Sequence, residues 1–190
     1  IVAVTPRIVP KGAKLYKVIP NYQPRHDYPY ISATSKESNI VNIVYFGSLS
    51  SEDRDVLLMI DVAERTLSEV ENVVFKIGGV VSGAGCEQVT RRLELLSAQY
   101  GPRFQWFGPM AREDVLRHTL TADVGLFFVK DVPNIRESSP NKIYEYLQAG
   151  VAILATAGFE VAQEIEKAGA GLLFPPGVPT SVVVSALVSL

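Results

Sequence analysis

Residues 42–77 read NIVYFGSLSSEDRDVLLMIDVAERTLSEVENVVFKI, and this stretch decides the fold class. An apolar run at 43–46 leads into a small, hydroxyl-rich loop. A helix-length segment at about 53–70 and a second apolar run at 73–77 follow. Neither run alternates polar with apolar residues, which is the pattern of strands buried on both faces of a parallel sheet. The same unit repeats towards the C-terminus. Strand-like runs stand at 104–107, 124–129, 151–156 and 171–174, and helix-length segments at about 87–100, 112–120, 140–149, 159–168 and from 180 to the end. Strand and helix in strict turn predict right-handed crossovers and an α/β fold, a Rossmann-like doubly wound parallel sheet. Helix punctuation agrees: Ser51, Arg54 and Asp55 open one helix, while Gly150 and Gly169 close two others.

The first forty residues read differently. Between residues 9 and 39 lie Pro10, Pro20, Pro24 and Pro29, with Tyr16, Tyr22, Tyr28 and Tyr30 among them. This is a loop-rich lead-in with one strand at 16–19. Both ends read as cut: residues 1–4 (IVAV) already form a strand pattern, and the chain stops inside a helical one. The expected organisation is a connector from a missing N-terminal domain over 1–39 and a ligand-binding domain over 40–190.

Composition narrows the function. The chain has 190 residues, 47% hydrophobic and 20% charged, which suits a globular domain and excludes a disordered one. Eighteen basic residues against twenty acidic give a net charge of −2, so no basic field points to nucleic acid. One cysteine, Cys86, cannot close an internal disulfide; it is read as an inert thiol, and a cytoplasmic location is expected. Apolar runs fall far short of the roughly 20 residues that a membrane helix needs.

In an open α/β sheet, ligands bind where strands lead into helices. The loop after the first main strand, Gly47-Ser48-Leu49-Ser50-Ser51, is neither a Walker loop nor a dinucleotide fingerprint. Residues 78–85 (GGVVSGAG) also lack that spacing and read as a flexible surface loop. Residues 136–146, RESSPNKIYEY, carry more. Pro140 suits the first helical position, which sets Ser138 and Ser139 at a helix N-terminus fit for a diphosphate. Lys142 and Glu145 share one face of that helix; Ile143, Tyr146 and Leu147 form the core face. Carboxylates beside a phosphate site help only if they accept hydrogen bonds from hydroxyls, which points to sugars. A plain helix cap with a solvated Lys–Glu pair reads equally well from this motif alone. His26 reads as solvated, His118 as lacking partners at metal-ligand spacing, and Trp106 as strand core.

Glu137 and Glu145 are separated by seven residues, and ESSPNKIYEYLQAGVAILAT resembles the E-x7-E region of retaining glycosyltransferases of the GT-B fold, family four or group 1 type. VIPN (18–21), YFGSLS (45–50), FQWFGPM (104–110), TADVGLFFV (121–129) and GAGLLFPPG (169–177) resemble that family's C-terminal landmarks in order. The resemblance implies the sugar-donor-binding C-terminal half of a GT-B enzyme. Its substrate would be a nucleoside-diphosphate sugar, bound without a metal or other cofactor. The acceptor would be a glycan or lipid-linked sugar in polysaccharide assembly, and the full-length protein either cytoplasmic or peripheral at the inner membrane face. It also implies roles. Glu137, the catalytic candidate, would hold hydroxyls of the donor sugar, and Glu145 those of the ribose. Ser138 and Ser139 would face the phosphates through their amides, Gly47 would admit the diphosphate, and Gly108 and Pro109 would line the base pocket.

One departure stands out. The family places a basic residue after the first-loop glycine and a lysine a few positions on; here Ser48 follows Gly47, and Arg54 stands about one residue beyond the lysine's place. Lys130, Arg136 or Lys142 is left to supply the second cation. The departure keeps two alternatives open, a non-catalytic domain of this fold and a nucleotide-sugar epimerase. The isolated domain is expected to catalyse little, because the other wall of the cleft is absent.

Overall fold

The computed structural model describes residues 2–3, 11–12, 17–19, 21–27 and 39–189. Its main sheet contains β3 (Val41–Phe46), β5 (Val73–Gly78), β7 (Phe104–Trp106), β8 (Val124–Phe127), β9 (Ala152–Thr156) and β10 (Gly171–Phe174). These six lie in the order β10-β9-β8-β3-β5-β7, every neighbouring pair parallel. Chain order therefore runs outward from the centre in both directions, the doubly wound arrangement of Rossmann folds. Ile43, Phe75, Phe104, Leu126 and Ile153 are buried on its faces, which is why these strands lack polar alternation.

Helices α1 (Val56–Glu69), α2 (Cys86–Tyr100), α3 (Arg112–Leu120), α5 (Asn141–Ala149), α6 (Ala162–Ala168) and α7 (Thr180–Val188) fill the expected segments, with a single turn α4 (Pro133–Arg136) between β8 and α5. α1 packs on α2 and α7, and α3 on α5. Right-handed crossovers between neighbouring strands place α1 and α2 on one face and α5 and α6 on the other; α3 joins α5, and α7 returns to α1.

Five local expectations give way. Helix α1 starts at Val56, not near 53, because residues 53–55 run antiparallel to 128–130: Asp55 N–H donates to Phe128 O at 3.1 Å, and Lys130 N–H to Asp53 O at 3.0 Å. Asp55 alone caps the helix, accepting from Leu58 N–H at 3.2 Å; the Ser51 hydroxyl donates elsewhere, to Ala84 O. The loop at 78–85 is also not a loose surface loop. β6 (Val81–Ser82) pairs with β4 (Leu49–Ser50), and a Cβ on Gly79 would stand 1.7 Å from Gly47 O. Finally, Pro140 is the N-cap of α5 and not its first residue, and α6 opens at Ala162 after a turn that buries Phe159.

In the lead-in, β1 (Val2–Ala3) pairs with β2 (Lys17–Val18), which falls within the expected strand at 16–19. Residues 25–27 form a single 3-10 turn. Most of the remaining 1–38, Pro20 of VIPN and Leu190 lie outside the described residues.

Candidate functional site

The strand order reverses between β3 and β8, and a crevice opens at the carboxyl ends of the sheet there. One wall is backbone. Gly47 N–H donates to Gly78 O at 2.9 Å, Gly79 N–H to Gly108 O at 2.7 Å, and Leu49 N–H to Val80 O at 2.9 Å. Three successive loops are thus laced together, and the 1.7 Å approach explains why only glycine fits at 79.

The other wall is made of side chains from α5. Lys142 and Glu145 form an ion pair at 3.5 Å, with side chains 14% and 15% exposed. Lys142 reaches across behind the first loop: a Cβ on Gly47 would lie 3.0 Å from its Cε and 3.5 Å from its Nζ. The ammonium also lies 5.7 Å from the ring centres of both Tyr45 and Tyr146, a cation–π setting. Burial holds its pKa below the ordinary lysine value, against the pull of Glu145.

Arg54 enters from the first loop, held by its bridge to Val129. Its guanidinium lies over the Phe127 ring at 5.4 Å and donates to Asp53 at 2.8 Å, while its buried Nε has no hydrogen-bond partner among the described residues. The Tyr45 hydroxyl donates to Ser48 O at 2.6 Å; burial pushes its pKa up to about 12, against the nearby Arg54 charge.

The crevice has two lobes that share Ser48, Lys142 and Glu145. The larger, about 360 Å³, adds Gly47, Gly79, Pro109 and Met110, and the smaller, about 230 Å³, adds Tyr45, Arg54, Phe127 and Pro140. Of the residues singled out in the sequence, Gly47, Ser48, Arg54, Pro109, Lys142 and Glu145 thus converge, and Gly108 joins through its carbonyl. Glu137 does not line either lobe: it is exposed, at the C-cap of α4. The Ser138 amide and hydroxyl both donate to Ile135 O, at 3.0 and 2.8 Å, so that amide is not turned outward as expected. The Ser139 hydroxyl faces Tyr144 at 3.4 Å. Anion-binding capacity at this corner therefore rests on the Ser139 amide and the uncapped first turn of α5.

Among the three replacement cations considered, only Lys142 lines the crevice. Lys130 Nζ donates to Ser51 O at 2.6 Å, and Arg136 pairs with Asp131 at 2.7 Å. Sequence reasoning gave no site role to Tyr45, to Tyr146, which it placed in the core, or to Gly79, which it placed in a surface loop. Their signal was a polar aromatic immediately before the first loop, another inside the helical motif, and a glycine doublet closing a strand. His118 packs against Phe46 and Phe107 at 5.7 and 5.0 Å, its pKa lowered by burial, with Lys76 and Arg117 adding to the effect. Among the described residues no three of His, Cys, Asp and Glu gather as a metal-holding group.

Residues 41–190 match the family model described as glycosyl transferases group 1. The chain belongs to that family. This glycosyltransferase chain is similar in fold to the C-terminal domain of a group 1 family protein from Francisella tularensis, with TM-score 0.63 and 14% identity over 80% of this chain and 75% of that one. It is also similar to a glycosyltransferase from Rickettsia africae ESF-5 (TM-score 0.65, 15% identity, 92% of this chain and 46% of that one). A UDP-forming trehalose-phosphate synthase from Burkholderia xenovorans shares the fold at TM-score 0.57 and 18% identity, over 78% of this chain and 35% of that one. The chain thus spans less than half the length of these last two enzymes, and the likeness is to the C-terminal half of the GT-B fold. No curated protein sequence matches it. No helix among its described residues is long and apolar enough to cross a membrane.

Proposed function

We propose that the crevice holds the nucleoside-diphosphate part of a sugar donor, and that the protein transfers the glycosyl group to an acceptor with retention of configuration. One observation carries this reading. Lys142, packed against the first-loop glycine, lines one lobe of the crevice together with Arg54, and a carboxylate, Glu145, pairs with Lys142 there. Two cations suit a diphosphate, and a carboxylate accepting hydroxyl protons suits a ribose.

In this reading Lys142, Arg54 and the α5 amides stabilise charge on the leaving diphosphate as the glycosidic bond breaks, with no metal or other cofactor. Glu145 takes the ribose hydroxyls. Glu137, at the rim, meets hydroxyls of the transferred sugar, and Gly108–Pro109 faces the base. The acceptor, a glycan or lipid-linked sugar, docks mainly on a preceding N-terminal domain joined through residues 1–39. Such a protein works in the cytoplasm or against the inner membrane face, and the isolated chain turns over slowly.

Calorimetric titration with UDP, GDP, ADP and their common sugar conjugates tests the reading. Saturable binding of one base that weakens in Glu145→Ala is the expected result. A folded chain and its longer parent that both ignore every nucleotide at millimolar concentration would sink it. That outcome would favour the second reading, a non-catalytic domain, for which the serine in place of a basic residue at position 48 speaks.

A further inference from the structure

Residues 21–27 do not run past the domain; they are fastened to it. Asn21 Nδ2 donates to Ser139 O at 2.7 Å. Gln23 and Gln148 exchange two hydrogen bonds: Gln23 N–H to Gln148 Oε1 at 2.8 Å, and Gln148 Nε2 to Gln23 O at 2.9 Å. The Tyr22 ring meets Tyr144 edge-on at 4.7 Å. Arg112, from α3, donates to Gln23 Oε1 at 3.2 Å and to Asp27 Oδ2 at 2.7 Å. A seven-residue segment therefore touches the loop before α5, two successive turns of α5, and the start of α3.

The Asn21 contact falls at a sensitive place. Ser139 O belongs to the peptide that joins Ser139 to Pro140, so holding this oxygen fixes ψ of Ser139. The ring of Pro140 already fixes the next φ. The chain thus turns into α5 through a corner with little freedom left. That corner presents the Ser139 amide and the uncapped first turn of α5, which leads directly to Lys142 and Glu145.

We infer that residues 21–27 are a strap that sets the position of the α5 corner, with Asn21 as its positioning residue acting through the Ser139 carbonyl. The inference rests on the sugar-donor reading for its functional consequence, and on the hydrogen bonds alone for its structural one. Asn21 lines neither lobe of the crevice. Its effect is on how well the amides and the Lys142 ammonium are aimed before a diphosphate arrives.

The test uses the whole chain, with Asn21→Ala and Asn21→Asp as variants. Amide exchange followed by NMR in the ligand-free protein is expected to quicken about tenfold at residues 138 and 143, whose N–H groups are held by Ile135 O and Pro140 O, while α1 and α2 exchange as before. The nucleotide bound by the parent protein is expected to bind about five- to tenfold more weakly to Asn21→Ala, the effect of losing one hydrogen bond. Asn21→Asp, whose carboxylate opposes the carbonyl, should be at least as impaired. Gln148→Ala, which frees the other anchor, should quicken the same amides less. Unchanged exchange at the corner in both Asn21 variants would overturn the strap. So would parental affinity in Asn21→Ala together with loss of binding in Glu145→Ala. If the parent protein binds no nucleotide, the sugar-donor reading falls and the exchange result still decides the strap.

Discussion

The β3–β5–β7 half of the sheet meets the crevice with backbone, whereas the β8–β9–β10 half meets it with side chains. On the first side Gly47, Gly78, Gly79 and Gly108 present amides and carbonyls that are laced to one another. On the second, α5 presents Glu145 and its partner Lys142, whose ammonium lies over the rings of Tyr45 and Tyr146. A backbone wall tolerates no Cβ but makes few demands on charge. A side-chain wall tolerates small shifts but depends on which groups are ionised. The two walls should therefore fail in different ways when altered.

The backbone wall should fail by unfolding. Gly79→Ala forces a methyl group into Gly47 O and is expected to cost about 3 kcal/mol or more in urea denaturation. A loss below about 1 kcal/mol would show that the two loops can part cheaply, and the contrast between walls would disappear. The side-chain wall should fail by losing ligand. Glu145→Ala is expected to weaken nucleotide binding by about ten- to a hundredfold, the range for a charge-assisted hydrogen bond, with a smaller loss of stability than Gly79→Ala as Lys142 loses its partner. An equal effect on UDP and on inorganic diphosphate would argue against its role with ribose hydroxyls.

Lys142 sharpens the comparison through pH. Its folded pKa lies below 10.5, so above the lowered value the folded chain has shed a proton that the unfolded chain still holds. Stability should accordingly rise with pH across that window, while affinity for a diphosphate should fall, since binding favours the ammonium. Lys142→Met should flatten both trends and bind about tenfold more weakly at pH 7; Lys142→Arg should retain binding to higher pH. Calorimetry and thermal melts from pH 7 to 10 check the pair of slopes. The smallest effect is reserved for Ser48→Arg, which adds a second cation to the backbone wall beside Arg54. Binding should tighten by up to about fivefold, as an exposed charge contributes little.

The parallel sheet was legible in the sequence because each strand from residue 43 onward is a short apolar run, four of the six (43–46, 73–77, 104–107 and 171–174) closed by glycine or proline. Lys142 and Glu145 were legible because helical spacing puts them on one face whatever the tertiary structure. The bridge at residues 53–55 was not, because SEDRD is rich in helix-opening residues and its pairing with 128–130 is a long-range event. Gly79 was misread for a related reason: a glycine doublet signals freedom or crowding equally, and only the neighbouring loop distinguishes them. The use of the Ser138 amide on Ile135 depended on a turn, α4, too short to leave a periodic trace.

The antiparallel bridge between residues 53–55 and 128–130 spans the line along which the two half-sheets diverge. Tyr146 reinforces that line from beneath, its hydroxyl within 3.3 Å of Val44 O on β3 and 3.4 Å of Leu126 O on β8. A jaw stitched at its own hinge cannot bite. The floor of the crevice is tied across before any ligand arrives, and a bound molecule would meet walls already set against each other.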